Sequence, residues 1–316
     1  MNRAIAIEAR ELTKRYDEEV LAVDGVDLAV ATNSIYALLG PNGAGKTTMV
    51  SMLTTLIKPT AGTANIAGFD VREEAGEVRS RIGVTFQEIV LDPDLTGRES
   101  LDFHGRLYEL PKSQREEKIG ELLQLVELED AADRRTNTYS GGMKRRLELA
   151  RGLMTEPEVL FLDEPTQGLD PQNRANIWEY IRNLLANTNI TLLLTTHYMD
   201  EAEALADRVG IIDHGRMVVE DTPRALINQM GADVFHVEGS GDQAAFAAAV
   251  EDLPFVQYVD TVDSLLQIGV GEGSGRLVEL VTKSQATGFH IEDISLTKPT
   301  LGDVFLKYTG RQLRDK

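Results

Sequence analysis

Short apolar runs recur along the first two thirds of the chain, with polar or helix-like stretches between them. The strongest runs cover residues 34–39, 82–86, 159–162 and 190–196. Runs of this length with little polar alternation are typical of strands covered on both faces of a parallel sheet. An α/β fold is therefore predicted.

Other segments predict further structure around this sheet. Residues 5–13 and 21–30 nearly alternate between apolar and polar side chains, which predicts two β segments around a polar turn. Residues 98–134 carry apolar side chains at near-helical spacing among charges, which predicts an inserted helical region. Residues 209–219 predict a β-hairpin that closes the sheet.

The composition changes after Pro223, and the pattern there predicts a small α+β domain without a chemical motif. Its predicted strands cover 233–238, 256–262 and 265–270, and its predicted helices cover 243–253 and 276–287. We place the domains at 1–230 and 231–316, with the helical insert at about 88–152. The second domain is interpreted as a regulatory or dimer-stabilising module.

Composition narrows the function. The chain has 316 residues, no cysteine and no apolar run near the ~20 residues that span a bilayer, so any membrane pore is expected on another chain. It has 32 basic and 51 acidic residues, a net charge of -19, which argues against general nucleic-acid binding. The acidity fits a salt-rich cytoplasm or an ordinary acidic bacterial protein, and both readings stay open.

One segment matches the phosphate-loop pattern G-x-x-x-x-G-K-[ST] at every fixed position and lies between a predicted strand and a predicted helix. Its glycines let backbone N–H groups point at phosphate oxygens, and the helix beginning near Thr48 adds its positive end. We expect the lysine to reach the β- and γ-phosphates and the first threonine to ligate Mg²⁺. The residues are Gly40, Pro41, Asn42, Gly43, Ala44, Gly45, Lys46, Thr47 and Thr48.

Polar residues follow three further predicted strands. Asp163 can hold the Mg²⁺ shell and Glu164 can polarise the attacking water. Gln87 can reach a metal at the loop, and His197 can contact the γ-phosphate and hold Glu164 in line. Gln87, Asp163 and Glu164 could also be solvated strand ends, and His197 could be a strand-end histidine satisfied by neighbouring backbone, but the phosphate loop predicts a nucleotide at this edge of the sheet.

Three other features have weaker signals when taken alone. Ser140, Gly141 and Gly142 open a helix, whose free N–H groups and serine hydroxyl suit a γ-phosphate, although serine also caps helices for structural reasons. Asp170 lies in a turn before another helix. Tyr16 could stack on an adenine ring or be a surface tyrosine.

Taken in order, these segments resemble the nucleotide-binding subunit of ATP-binding-cassette (ABC) transporters over roughly residues 4–230. The resemblance implies a P-loop NTPase cassette with a parallel core sheet, an antiparallel β subdomain and an inserted α-helical subdomain. It also implies a head-to-tail homodimer that holds ATP between one phosphate loop and the Ser140–Gly142 turn of the other subunit. Closure on ATP and opening after hydrolysis would then drive a separate transmembrane permease.

The same resemblance assigns roles residue by residue. It makes Tyr16 the adenine platform, Glu164 the general base and His197 the switch, and it places Asp170 at the nucleotide interface. The metal contacts are implied to be Thr47, Gln87 and Asp163. The chain departs from the family pattern at Tyr139, Met143 and Gln167, where leucine, glutamine and serine are frequent.

The tail, residues 291–310, resembles the end of daunorubicin-resistance drug-export ATPases. We therefore expect an ATPase that uses ATP and Mg²⁺ to power export of a drug, antibiotic or lipid-like compound, peripheral on the cytoplasmic face of the cell membrane. The alternative is a soluble ABC ATPase acting on DNA or ribosomes, which the acidic surface disfavours. A small-molecule kinase with the same loop would leave Ser140–Gly142 and His197 unexplained.

Overall fold

The computed structural model describes residues 4–16, 20–262, 265–271, 273 and 275–310. Its contacts divide the chain into two compact units, Met1–Met217 and Val218–Lys316. The boundary at 230/231 stays a prediction, and the ends of the predicted domains, 1–3 and 311–316, lie outside the described residues.

The first unit begins with an antiparallel sheet of the order β2-β1-β4-β5. The bounds are β1 Ile5–Tyr16, β2 Val20–Ala31, β4 Ala61–Ile66 and β5 Phe69–Asp70. In β1 the buried side chains include Ile7, Ala9 and Leu12, so the near-alternating pattern does put one face against a core. This sheet supplies the wall beside the phosphate loop.

A second sheet of the first unit has the strand order β9-β3-β8-β7-β6. Its strands are β3 Ile35–Leu39, β6 Ile82–Thr85, β7 Val159–Asp163, β8 Thr191–Thr196 and β9 Arg208–Asp213. Neighbours β3/β8, β3/β9, β7/β8 and β6/β7 are all parallel. The predicted parallel sheet is therefore present, and every residue of β3, β7 and β8 is buried.

Helices fill the connections of this unit. Their bounds are α1 Lys46–Leu53, α2 Ala75–Arg81, α3 Gly97–Leu107, α4 Lys112–Leu125, α5 Gly141–Gly152, α6 Pro171–Asn187 and α7 Met199–Leu205. Helix α1 begins two residues before the predicted start at Thr48. The predicted helical region resolves into α3 and α4, and α3 starts with a capping box between Thr96 and Glu99.

The hairpin predicted at 209–219 corresponds to β9 and β10, Arg216–Asp221. The connecting residues are His214 and Gly215, with φ of 47° and 77°. A two-residue hairpin turn whose twist matches that of its strands needs positive φ at both positions, which explains the glycine.

The second unit has an antiparallel sheet of the order β12-β13-β11-β14. The bounds are α8 Pro223–Asn228, β11 Asp233–Gly241, α9 Gln243–Glu251, β12 Val256–Val262, β13 Leu265–Val270, α10 Leu277–Thr287, β14 Phe289–Thr297 and α11 Leu301–Thr309. Apolar side chains of α9 and α10 form one core with the sheet, where the rings of Phe246 and Phe289 stack at 4.8 Å. The predicted α+β composition is present here.

Candidate functional site

Four segments with chemical side chains meet at one edge of the parallel sheet. Strands β3, β6, β7 and β8 run in the same direction, so their carboxyl ends lie together. The phosphate loop follows β3, Gln87 follows β6, Glu164 follows β7 and His197 follows β8. The strand-end positions that the sequence singled out are thus brought to a single place by the parallel topology.

The phosphate loop has the backbone shape that its glycines allow. Gly43 and Gly45 have φ of 83° and 108°, which residues with a side chain rarely adopt. A Cβ on Gly45 would lie 2.4 Å from the carbonyl oxygen of Ala22, so a side chain is also excluded by space. The loop is therefore a pocket of backbone N–H groups at the N-terminus of α1, which favours an anion.

Lys46 crosses this loop. Its Nζ donates to the carbonyl oxygens of Gly40, at 2.7 Å, and Pro41, at 3.2 Å. The side chain is buried, which lowers the pKa of Lys46, while Glu164 and Asp163 oppose that shift by attraction. A buried ammonium group that donates to two carbonyl oxygens and lies near carboxylates is well placed to exchange those contacts for phosphate oxygens.

The cavity over the loop has a volume of about 330 Å³. It is lined by Ala22, Pro41, Asn42, Gly43, Gly45, Lys46, Thr47, Thr48, Gln87 and Glu164. Its wall therefore combines most of the phosphate loop with two of the four strand-end residues. Ala22, on β2, is the lining residue that no sequence motif indicated.

Glu164 lies between a cation and a histidine. Its Oε1 is 3.8 Å from Nζ of Lys46, and its Oε2 is 3.1 Å from Nδ1 of His197. The histidine contact is close but poorly aligned, and neither atom has a hydrogen-bond partner within the described part of the chain. Buried polar atoms that lack partners are costly, and they point to a further group, such as water or phosphate, in the working site.

The two carboxylates have opposite pKa shifts. Burial raises the pKa of Asp163, and the neighbouring Glu164 adds to this, while hydrogen bonds from Thr195 and Thr47 act against it. Burial also acts to raise the pKa of Glu164, but His197 and Lys46 together lower it below its ordinary value. Glu164 is consequently ionised at neutral pH, as an acceptor of a proton from water requires.

Comparison with known proteins identifies the family. The model of the ABC transporter family matches residues 23–167. The daunorubicin resistance ATP-binding protein DrrA3 of Streptomyces coeruleorubidus is 44% identical over 314 residues, 99% of this chain and 98% of the relative. The Nod factor export ATP-binding protein I of Paraburkholderia xenovorans is 40% identical over 311 residues, 98% of this chain and 99% of the relative. The chain belongs to the ABC transporter family.

A solved structure agrees with this assignment. The dimeric structure of a post-hydrolysis state of the ATP-binding cassette MJ0796 bound to ADP and Pi matches with a TM-score of 0.62 and 27% identity. The match covers 68% of this chain and 98% of that one. The protein is an ABC ATPase, which binds ATP and hydrolyses it to ADP and phosphate. None of its described helices has both the length and the apolar character of a transmembrane span.

Several predicted nucleotide contacts of the ABC ATPase lie outside the cavity lining. Ser140 caps α5 by accepting from the N–H of Met143 at 3.2 Å, so Gly141 and Gly142 form the first turn of that helix. Asp170 caps α6 and accepts from the N–H of Asn173 at 3.0 Å. Ser140 thus has the helix-capping contact that was its alternative interpretation, Asp170 makes a cap that was not predicted from the sequence, and the nucleotide roles of both stay predictions.

Tyr16 and Gln87 have other partners. The ring of Tyr16, at the end of β1, is 40% exposed and lies 5.1 Å from the ammonium group of Lys14. Nε2 of Gln87 donates to Oε1 of Gln167 at 2.7 Å, so this glutamine is bonded to the turn after Glu164. An adenine contact for Tyr16 and a metal contact for Gln87 stay predictions.

Three residues that support the site were missed by sequence reasoning. Thr195 bonds both the side chain of Asp163 and the N–H of Glu164. Glu201, buried in α7, accepts from Thr166 at 2.8 Å and from Trp178 at 3.0 Å. Arg145, in α5, donates to four backbone carbonyls. Only Thr195 carried a signal, since it lies at the end of a buried strand two residues before His197.

Proposed function

We propose that this ABC ATPase is the energy-supplying subunit of an exporter whose membrane permease is a separate chain. Two copies would bind ATP head to tail, and the closing and opening of this homodimer would drive the permease. The exported compound would be a drug, an antibiotic or a lipid-like molecule. The names of the relatives support this direction, since each is a resistance or export ATP-binding protein matched over nearly its whole length.

One observation carries the dimer proposal. The cavity is lined by the phosphate loop, Gln87 and Glu164, while no residue of 140–142 belongs to its lining. The N–H groups at the start of α5 would favour a second anion on the same chain. A second copy can bring its Ser140–Gly142 turn to the open side of the cavity, and a symmetric pair then has two complete sites.

Magnesium fits the residues at the cavity. Mg²⁺ prefers oxygen ligands and is usually held by one or two carboxylates together with substrate phosphates. The side chain of Thr47 acts to lower the pKa of Asp163, and Thr47 and Gln87 line the same cavity. Thr47, Asp163 and Gln87 would hold the ion, which would neutralise charge on the phosphates. To reach the ion, Gln87 would first break its hydrogen bond to Gln167.

The chemistry then follows from the chain's own groups. Lys46 and the loop N–H groups would fix the β- and γ-phosphates, so that the reacting phosphorus is held in one place. Glu164 would accept the proton of the attacking water through an oxygen that has no hydrogen-bond partner in the described structure. His197, 3.1 Å from that oxygen, would orient it and contact the γ-phosphate.

An exposed apolar surface of the helical insert supports a membrane partner. The insert patch, as we define it, has side chains that are 37–64% exposed and comprises Phe86, Ile89, Val90, Phe103, Leu107 and Tyr108. Arg151 connects the segment of Val90 to α3, because it donates to the carbonyl of Val90 at 2.5 Å and lies near His104. Burial and the charge of Arg151 lower the pKa of His104, whose ring packs on Tyr108. The patch adjoins Gln87, so a permease helix docked there would sense the nucleotide site.

Two measurements test this proposal. Glu164→Gln should form a dimer with ATP in size-exclusion chromatography, and Ser140→Arg in the same background should stay monomeric while it still binds ATP. In detergent-solubilised membranes the parent should co-purify with a polytopic membrane protein, and Phe103→Asp should lose that protein but keep the ATP dimer. Recovery with DNA or ribosomes, unaffected by Phe103→Asp, would favour the alternative function.

A further inference from the structure

Arg145 is a buried arginine whose contacts connect three functional segments. It lies on α5, is 5% exposed, and uses its Nε, Nη1 and Nη2 as donors to backbone carbonyls. The acceptors are Pro165 at 2.6 Å, Phe86 at 2.7 Å, Glu164 at 2.7 Å and Asp163 at 2.9 Å. A single guanidinium group thus joins the residue before Gln87 to the segment that carries both catalytic carboxylates.

The backbone at Glu164 needs such a contact. Successive carbonyls of a strand point to opposite sides, so the carbonyls of 163, 164 and 165 reach one cation only because the chain turns sharply there. Glu164 makes this turn with φ of 49°, a left-handed conformation that costs free energy for a residue with a Cβ. The guanidinium stabilises the turn by satisfying three carbonyl dipoles that would otherwise face one another in a buried place.

The position of the catalytic carboxylate depends on this turn. Oε1 and Oε2 of Glu164 lie 3.8 Å from Lys46 and 3.1 Å from His197, and a changed φ at Glu164 would move both distances. Arg145 touches none of these side-chain atoms and lies outside the cavity lining. Arg145 attracts Asp163 and Glu164 by its charge, but its direct contacts are with the backbone, so its effect on hydrolysis would pass mainly through the turn.

Ser140 caps the N-terminus of the same helix, five residues before Arg145. We propose that Arg145 is a positioning residue for ATP hydrolysis: it holds the Glu164 turn in its own site and ties that turn to the helix that caps the partner's ATP. This inference rests on the proposed role of Glu164 and, for the coupling between sites, on the proposed dimer.

The neighbouring Arg146 is a matched control. It is on the same helix, and it donates to the carbonyl of Val126 at 3.0 Å and to the hydroxyl of Tyr180 at 2.9 Å. These contacts hold α5 against the end of α4 and against α6, and none of them involves Asp163 or Glu164. Arg146→Ala removes the same charge and the same number of donors, so it measures what losing an arginine from α5 does to stability alone.

The test compares steady-state ATP hydrolysis of the two variants. Arg145→Ala should lower kcat about 10²-fold, the effect expected of a displacement of about 1 Å at the reacting group. Its KM and its ATP-induced rise in Tm should stay within about twofold of the parent, because the phosphate loop is untouched. Arg146→Ala should lower Tm with kcat within about twofold of the parent. Guanidinium ion at millimolar concentration should restore part of the activity of Arg145→Ala, and urea should not.

Clear outcomes would overturn the proposal. A parent-like kcat in Arg145→Ala, an equal loss in Arg146→Ala, or equal rescue by urea would each show that Arg145 serves general stability. If Arg145→Ala does not fold, Arg145→Lys replaces it: lysine keeps the charge but lacks the planar fork, so kcat should fall at least about tenfold, and a parent-like value would refute positioning. Glu164→Gln distinguishes failure of the proposed function from failure of this inference. If Glu164→Gln hydrolyses ATP normally, the proposed mechanism fails. If Glu164→Gln is inactive while the Arg145 variant is fully active, only the positioning role of Arg145 is refuted.

Discussion

Two histidine–carboxylate pairs of the described residues, His197–Glu164 in the first unit and His236–Asp303 in the second, differ in what surrounds them. In the first unit Nδ1 of His197 lies 3.1 Å from Oε2 of Glu164, and the two atoms are not aligned as a hydrogen bond. In the second unit Nε2 of His236 is hydrogen-bonded to Oδ1 of Asp303 at 2.7 Å. A histidine and a carboxylate therefore make an unaligned contact in one unit and a hydrogen bond in the other.

The remaining partners explain the difference. Asp303 also accepts from Gln267 at 2.6 Å and from the N–H of Thr300 at 2.7 Å, where it completes a capping box for α11. These bonds use the acceptor capacity of the carboxylate, so the pair ties α11 to the sheet. Glu164, with one oxygen that has no hydrogen-bond partner in the described structure, keeps capacity for a ligand. A satisfied pair indicates structure, and a buried pair without partners indicates chemistry.

The largest expected effect is on the unsatisfied pair. Glu164→Gln keeps the shape of the side chain but removes the proton acceptor, so kcat for ATP should fall by about 10²–10⁴-fold, the usual contribution of a general base. Phosphate release measured at saturating ATP tests this. Asp303→Asn is the matched control, and its kcat should equal that of the parent. Normal turnover in Glu164→Gln would show that the pair without hydrogen-bond partners is not catalytic.

The second effect concerns the cation beside Glu164. Lys46→Ala should lose the stabilisation that ATP gives the parent, about 3 kcal/mol at a hundredfold excess over Kd. Thermal melting with and without Mg-ATP measures this difference. An ATP-induced shift of Tm equal to that of the parent would show that nucleotide binds elsewhere.

The third effect is on the satisfied pair. Asp303→Asn should lower the free energy of unfolding of the second unit by about 1–3 kcal/mol, because a buried charged hydrogen bond is lost. Burial acts to raise the pKa of Asp303, but bonds from His236 and Thr300 lower it below 3.8. The carboxylate therefore contributes stability above its unfolded pKa and loses it as the pH falls through the folded value.

Urea unfolding followed by circular dichroism at pH 7 and pH 3 measures this effect. The difference between parent and variant should be present at pH 7 and smaller at pH 3. Trp178, the one tryptophan of the chain, lies in the first unit. Its fluorescence therefore reports the unfolding of that unit, which should occur at the same urea concentration in both proteins. A variant that is as stable as the parent at pH 7 would show that the pair in the second unit is dispensable.

The smallest effect comes from His104. Unlike His197 and His236, which face carboxylates, His104 lies near the cationic side chain of Arg151. Burial and the charge of Arg151 lower the pKa of His104 to about 4. Because the unfolded histidine takes up a proton near pH 6.5, the folded protein loses stability as the pH falls from about 6.5 to 4. The loss should be about 1–2 kcal/mol after allowance for partial exposure, and His104→Gln removes the titrating group.

Parallel urea titrations of the parent and His104→Gln at pH 7.5 and pH 5 measure this. The parent should lose more stability than the variant between the two pH values, since glutamine does not titrate. Equal losses in both proteins would assign the pH dependence to other groups.

The comparison also shows where pattern reasoning works. Strands β3, β6, β7 and β8 were predicted because each is a buried apolar run, and β1 and β2 because one face is covered. Helices α2 and α7 were missed: each has seven residues, too short for two turns of periodicity. Strand β14 was not predicted from its pattern because eight of its nine residues have exposed or half-exposed positions without alternation.

The sequence by itself determined the nucleotide chemistry of this protein. The phosphate loop, Asp163-Glu164 and His197 each follow a buried strand, and parallel strands bring their carboxyl ends together whatever the details of the connections. Local spacing and strand direction were sufficient, because each functional residue lies within a few residues of the element that positions it.

Only the tertiary structure decided which groups hold those residues in position. Gln87 bonds Gln167, which is 80 residues away, and Arg145 bonds the carbonyl of Phe86, 59 residues away. These contacts use backbone carbonyls and exposed amides, which have no sequence signature, and they form only when separate elements pack side by side. The physical reason is that a side chain's partners are set by distance in space, and a linear pattern encodes that distance only within one helix or strand.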